Sequence, residues 1–138
     1  MNIRNIPHTV IFACVHNAGR SQMAAAFFNA AADPRRAGAV SAGTAPGAHV
    51  HPEVVTVMRE VGIDLQNAVP RLLTPELAHG ATWLVTMGCG EACPLVPGVR
   101  RDDWPLDDPK GQSLDHVRLI RDDIRRRVEA MLADPGLK

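Results

Sequence analysis

Apolar residues in this chain fall into short β-branched runs, separated by longer stretches in which they recur at helical spacing. His8 to Cys14 (HTVIFAC) is one such run, ends at a glycine-containing loop and reads as a buried parallel strand, the first and central one. Ser21 to about Ala32 (SQMAAAFFNAAA) is rich in strong helix formers and stops before Asp33-Pro34, where proline disfavours continuation. Ala39 to Ala42 reads as a second short strand, followed by a Gly/Pro/His loop from Gly43 to His51. Pro52 suits the first turn of a helix that runs through VVTVMREV to a stop at Gly62. Thr74-Pro75-Glu76 opens a short helix, Ala81 to Met87 (ATWLVTM) reads as another buried strand, and Val99 to Trp104 holds a last, short edge strand. Ser113 caps a final helix in which Leu114, Val117, Ile120, Ile124, Val128 and Met131 follow helical spacing, leaving its arginines and aspartates for a solvated face. Strands alternating with helices predict a three-layer α/β/α fold around a small, four-stranded parallel sheet. Ligands in such folds bind beyond the carboxyl ends of the strands, where Cys14, Cys89 and Asp108 fall.

A chain of 138 residues with 46% hydrophobic content suits one ordinary core, so residues 1–138 read as a single domain. Basic and acidic residues number 15 each, so nothing global points to nucleic acid or a membrane as partner, and attraction for an anion must be local. The N-terminus lacks a signal pattern and no window reaches the apolar length of a membrane span, which predicts a soluble, cytoplasmic protein. Three cysteines fit a secreted disulfide framework badly and a reducing compartment better.

The strongest local feature is Cys14-Val15-His16-Asn17-Ala18-Gly19-Arg20-Ser21, where a cysteine ends a strand and an arginine six residues later starts a helix. The bare C-x5-R spacing is weak evidence, but its strand and helix flanks raise it. A loop of this length can turn successive backbone N–H groups inward, and the helix N-terminus adds partial positive charge, a cradle for a tetrahedral oxyanion. Arg20 can offer a two-pronged set of donors to the anion, with Cys14 beneath its central atom as nucleophile. The same amides favour the thiolate, and Ser21 can donate a hydrogen bond to that sulfur. Asn17 suits a brace for a strained turn. The plain alternative makes Cys14 strand core, Gly19 a turn residue and Arg20 a solvated helix start.

A second feature, Gly88-Cys89-Gly90-Glu91-Ala92-Cys93-Pro94, directly follows a predicted strand. A C-x3-C pair can bring both sulfurs to one face of a turn, and its glycines let the backbone reach disulfide geometry, which reads as a redox pair. No second C-x2-C or H-x3-H pair accompanies it, so no metal is expected. Third, Asp107-Asp108-Pro109 lies in a polar turn; a carboxylic acid near the cradle could protonate a departing oxygen, although Asp-Pro alone is an ordinary turn.

Together with Arg20-Ser21-Gln22-Met23-Ala24, Ser41-Ala42-Gly43, Val85-Thr86-Met87 and Trp104 through Pro109, these motifs make the chain resemble, nearly end to end, the arsenate reductases that share the low-molecular-weight protein tyrosine phosphatase fold. The resemblance implies that Cys14 attacks arsenate while Asp108 acts as acid, that Cys89 then attacks the sulfur of arsenylated Cys14, and that Cys93 resolves the Cys14–Cys89 disulfide into Cys89–Cys93. It implies no bound cofactor but an external thiol reductant: thioredoxin, or a small thiol such as mycothiol with a glutaredoxin-like protein (a mycoredoxin), in which case Cys89 and Cys93 are dispensable. Phosphate and sulfate become substrate analogues. The chain departs from better-known members at His16 and Gly19, where they have Gly and Cys or Ser, and in its short C-x3-C spacing. Ala25 and Arg71 stand where some members place acidic residues at a potassium site, so monovalent-cation activation is not implied. A phosphatase hydrolysing phosphoesters through phospho-Cys14 is the alternative, weakened by Lys110 in place of the tyrosine usual after Asp-Pro. A non-catalytic arsenite sensor would need only the sulfurs.

Overall fold

The computed structural model describes residues 8–88, 96–134 and 137. Four parallel strands, β1 (His8–Cys14), β2 (Ala37–Gly43), β3 (Trp83–Thr86) and β4 (Arg100–Asp103), lie in the order β2-β1-β3-β4. Four helices complete the described elements: α1 (Arg20–Ala31), α2 (Pro52–Arg59), α3 (Pro75–His79) and α4 (Leu114–Leu132). The chain steps from β1 outward to β2 and then back across β1 to β3, so the strand order reverses at the carboxyl ends of β1 and β3. Open α/β sheets leave a crevice at such a point.

Alternate residues of β1 serve two apolar cores. Val10, Phe12 and Cys14 join Val85 and Met87 beneath α1, α2 and α4, while Ile11 and Ala13 join Leu84 and Ala78 on the side of α3. With both faces covered, the strand is an unbroken apolar run and not an alternating one. Small residues let α1 sit close to the sheet, and the Asn29 side chain exchanges hydrogen bonds with the backbone of Ala39, blunting the outer edge of β2. The opposite edge, β4, is charged throughout.

Element types agree with the sequence reading, and several boundaries move. β2 begins at Ala37 and not Ala39, because Ala37 and Gly38 are drawn into register with His8 and Thr9 despite weak strand preference of their own. α2 ends at Arg59, and Gly62, with φ +82°, takes the left-handed position after it. In α4 the apolar stripe engages the core only from Val117; Leu114 remains 40% exposed because the stripe continues one turn past the packed interface. The face read as solvated also contains an exception. Arg121 is buried, donating to the Val57 carbonyl (2.8 Å) and to Glu60 (2.8 Å), and so ties α4 to α2. Among the described residues no helix is long and apolar enough to cross a membrane.

Candidate active site

Between β1 and α1 the chain turns through residues 15–19, and the scaffold around it takes six consecutive carbonyls. The oxygens of Cys14, Val15, His16 and Ala18 accept from the amides of Thr44 (3.1 Å), Ala45 (2.8 Å), Gly47 (2.9 Å) and His51 (2.9 Å). Asn17 O accepts from Gln22 Nε2 (3.1 Å), and Gly19 O from Met23 N (3.0 Å). In a trans peptide the N–H points opposite to the carbonyl of the same unit, and no peptide among the described residues is cis. With the carbonyls drawn outward, the amides of Val15 through Arg20 are directed to the inner side of the loop. Such a basin can take an anion, and it is made by the β2–α2 connection as much as by the loop itself.

Gly43 allows that connection to approach. A Cβ there would stand 2.5 Å from the Val15 carbonyl oxygen and 2.9 Å from the Asn17 nitrogen, so only glycine fits. Asn17, fully buried at φ +50°, is held from three directions. Its Oδ1 accepts from Arg71 N (2.9 Å) and Gln22 Nε2 (3.2 Å), while its Nδ2 donates to Ser21 Oγ (2.7 Å). Because the Arg71 amide can only donate, the orientation of the Asn17 amide is determined. Ser21 Oγ thus accepts from Asn17, leaving its own proton for Cys14 Sγ at 2.9 Å. A hydrogen bond donated to sulfur stabilises the thiolate, the nucleophilic form.

Arg20, almost fully buried, crosses from the loop to the segment that follows β4. Its Nη1 donates to the Leu106 carbonyl (3.1 Å) and its Nη2 lies 4.0 Å from Asp108 Oδ2. At Gly88 the φ of +91° calls for glycine, and a Cβ would come within 2.6 Å of Nη1, so a larger residue would displace the end of the Arg20 side chain. The Asp108 side chain is 43% exposed and its Oδ1 accepts from Lys110 N (3.0 Å), an Asx turn that leaves the carboxyl open to the basin's mouth. Trp104 anchors this segment, its amide donating to Thr86 O (2.8 Å) and its ring packed on Phe12 with centroids 5.6 Å apart. Asp107 points elsewhere, pairing with His116 (3.2 Å). Burial holds His51 below the ordinary histidine value, against the pull of Glu53 and Asp108, which favours the neutral ring near pH 7. Cys89 and Cys93 lie outside the described residues, and among those described no group of His, Cys, Asp or Glu could hold a metal ion.

Sulfur below, inward amides around it, a guanidinium at one side and a carboxyl across: the arrangement can bind a tetrahedral oxyanion, attack its centre and protonate what departs. Residues 9–136 match the family model for low molecular weight phosphotyrosine protein phosphatase. The chain belongs to that family. Within it, similarity runs toward arsenate reductases. A putative arsenate reductase of Halobacterium salinarum is 43% identical over 121 residues, 85% of each chain. The glutaredoxin arsenate reductase of a Synechocystis species is 35% identical over 129 residues, 90% of this chain and 95% of its own. Among solved structures, the thioredoxin-dependent arsenate reductase of Corynebacterium glutamicum superposes with a TM-score of 0.79 at 34% identity, covering 91% of this chain; this chain spans 60% of that longer one.

Within this low molecular weight phosphatase fold, the structure brings Cys14, Asn17, Arg20, Ser21 and Asp108 into one site. Sequence reasoning missed the amides of Thr44, Ala45, Gly47 and His51, which hold the anion loop open. Their only sequence signal was the Ser41-Ala42-Gly43 motif, whose glycine marks a close backbone approach. Gln22 and Gly88 read from the sequence as helix and hinge residues; Gln22 closes locally on the Asn17 carbonyl, while Gly88 meets Arg20 from a distant part of the chain.

Proposed function

We propose that this protein, working as one domain over residues 1–138, reduces arsenate to arsenite by a cysteine relay. The oxyanion chemistry rests on Cys14 Sγ accepting a hydrogen bond from Ser21 beneath a loop whose carbonyls are turned away, and the choice of arsenate on the similarity to arsenate reductases. Arsenate enters the ring of amides from Val15 to Arg20, and the Arg20 guanidinium exchanges the Leu106 carbonyl for two anion oxygens. The Cys14 thiolate attacks arsenic, and Asp108 protonates a departing hydroxyl, which leaves as water. The thiolate of Cys89 then attacks the Cys14 sulfur. The S–As bond breaks with its electron pair left on arsenic, so As(V) becomes As(III) and the two sulfurs are oxidised to a disulfide. Cys93 attacks Cys89, freeing Cys14 as thiolate. An external dithiol reduces Cys89–Cys93, and the relatives named for thioredoxin and for glutaredoxin supply the two candidate classes. Such a relay suits a reducing cytoplasm, where regeneration is supported by thiol reductants.

Arsenite production is measured with thioredoxin, thioredoxin reductase and NADPH for the wild type, Cys89→Ser and Cys93→Ser. The relay predicts turnover in the wild type and less than about one-hundredth of it in either variant, since an unresolved sulfur blocks the cycle. Full turnover in both variants with a small thiol and a glutaredoxin-like protein would replace the relay by direct attack of that thiol on arsenylated Cys14. Brisk phosphoester hydrolysis without arsenite would make the chain a phosphatase.

A further inference from the structure

In most of the polar segment between β4 and α4 the side chains face solvent, yet Pro109 is buried. It is seated against Gly19. A Cβ on Gly19 would lie 2.7 Å from Pro109 Cγ, 3.4 Å from Pro109 Cδ and 3.6 Å from His51 Cδ2. The φ of Gly19 is −147°, outside the left-handed region, and the space a Cβ would take is filled by the Pro109 ring. Pro109 follows Asp108 directly, and the notch it occupies belongs to the anion loop.

We propose that Gly19 is a positioning residue. Its missing Cβ makes the seat for the Pro109 ring, and that seat, with His51 also beside Gly19, sets the reach of Asp108 over the anion basin. Ordinary carbon–carbon contact is about 3.5–4.0 Å, so a methyl at position 19 drives the proline ring back by about 1 Å. Displacement on that scale at a reacting group costs up to about 100-fold in rate. The Arg20 contact to Leu106 O lies on the amino-terminal side of Asp108 and cannot replace a seat on its carboxyl side. The inference rests on the reading of Asp108 as the acid, and its test separates the two.

Gly19→Ala, Pro109→Ala and the double variant are compared in wild-type and Asp108→Asn backgrounds, with arsenate and with phenyl phosphate as substrates and with phosphate affinity measured by calorimetry. Gly19→Ala is expected to lower kcat by about 10- to 100-fold while phosphate affinity changes by less than about twofold. On the Pro109→Ala background, where the ring is gone, the same substitution should cost less than about twofold, and on Asp108→Asn nothing further. Pro109→Ala alone changes no residue of the anion loop and should lower kcat severalfold with phosphate affinity retained, an arm that survives if Gly19→Ala folds poorly. Equal losses in all backgrounds, or wild-type kcat in Gly19→Ala, overturn the seat. Wild-type activity in Asp108→Asn overturns the acid assignment and the seat with it. A chain inactive toward arsenate overturns the reductase reading alone, because phenyl phosphate still reads the seat.

Discussion

Replacing Asn17 by alanine removes the brace of the anion loop and one end of the hydrogen-bond chain to the sulfur. The half-buried Arg71 amide loses its acceptor, at a cost of up to about 1–3 kcal/mol for an unsatisfied donor. Alanine must also hold the left-handed backbone at φ +50°, which adds about 1 kcal/mol. Gln22 keeps its bond to the position-17 carbonyl, so the loss stops at roughly 2–4 kcal/mol. In urea, where the slope for a domain of this size is about 1–3 kcal/mol/M, the unfolding midpoint should fall by about 1–2 M with the slope unchanged. Turnover should fall as well, by about tenfold or more, because the Ser21 hydroxyl is no longer directed toward Cys14. Ser21→Ala separates the two effects: it removes the donor to sulfur but leaves Arg71 paired, so kcat drops while the midpoint moves far less. A midpoint for Asn17→Ala within about 0.3 M of wild type, or full turnover in Ser21→Ala, would refute the reasoning.

Gly43→Ala should weaken phosphate binding in calorimetry by more than about tenfold, since a methyl 2.5 Å from the Val15 oxygen forces apart the scaffold that turns the carbonyls outward. Cys14→Ser should abolish arsenite production yet bind phosphate within several-fold of wild type, because amides and Arg20 supply the binding; loss of binding would mean the sulfur shapes the basin. Hydrogen bonds from Arg118, and then Arg121, hold the Glu60 carboxyl down at about 2 from its ordinary 4.5. Its contribution to stability is therefore complete above 4.5 and disappears as pH falls toward 2. Urea midpoints of Glu60→Gln should show a flatter acid limb across that window than wild type, and parallel curves would contradict the assignment.

How far the sequence reaches depends on whether a feature is local. The run from His8 to Cys14 announces a buried strand because both of its faces are covered, and the alanine-rich stretch after it can only be a helix. Cys14, Arg20 and Ser21 share one strand–loop–helix unit, so their spacing alone brings them together. Asn17 was legible as a brace but not its partners, since the Arg71 amide is 54 residues away and reaches it only through the Gly43–Leu72 bridge between segments. Asp108 carried no signal beyond its dipeptide. Its place near Arg20 comes from Trp104 packing on Phe12, from the Leu106 carbonyl and from the Pro109 seat, none of which has a periodicity to read. Arg121 was assigned to solvent because its neighbours on α4 are charged; the Val57 carbonyl that buries it belongs to another helix.

The central claim is that the chain itself holds the two electrons arsenate needs. A single-turnover experiment tests it most directly: fully reduced protein is mixed with arsenate in the absence of any external thiol, arsenite is counted, and the cysteines are mapped by mass spectrometry. The relay predicts one arsenite per chain, a Cys89–Cys93 disulfide and a free Cys14 thiol. No arsenite until a small thiol is added, with Cys89 and Cys93 still reduced, would contradict it.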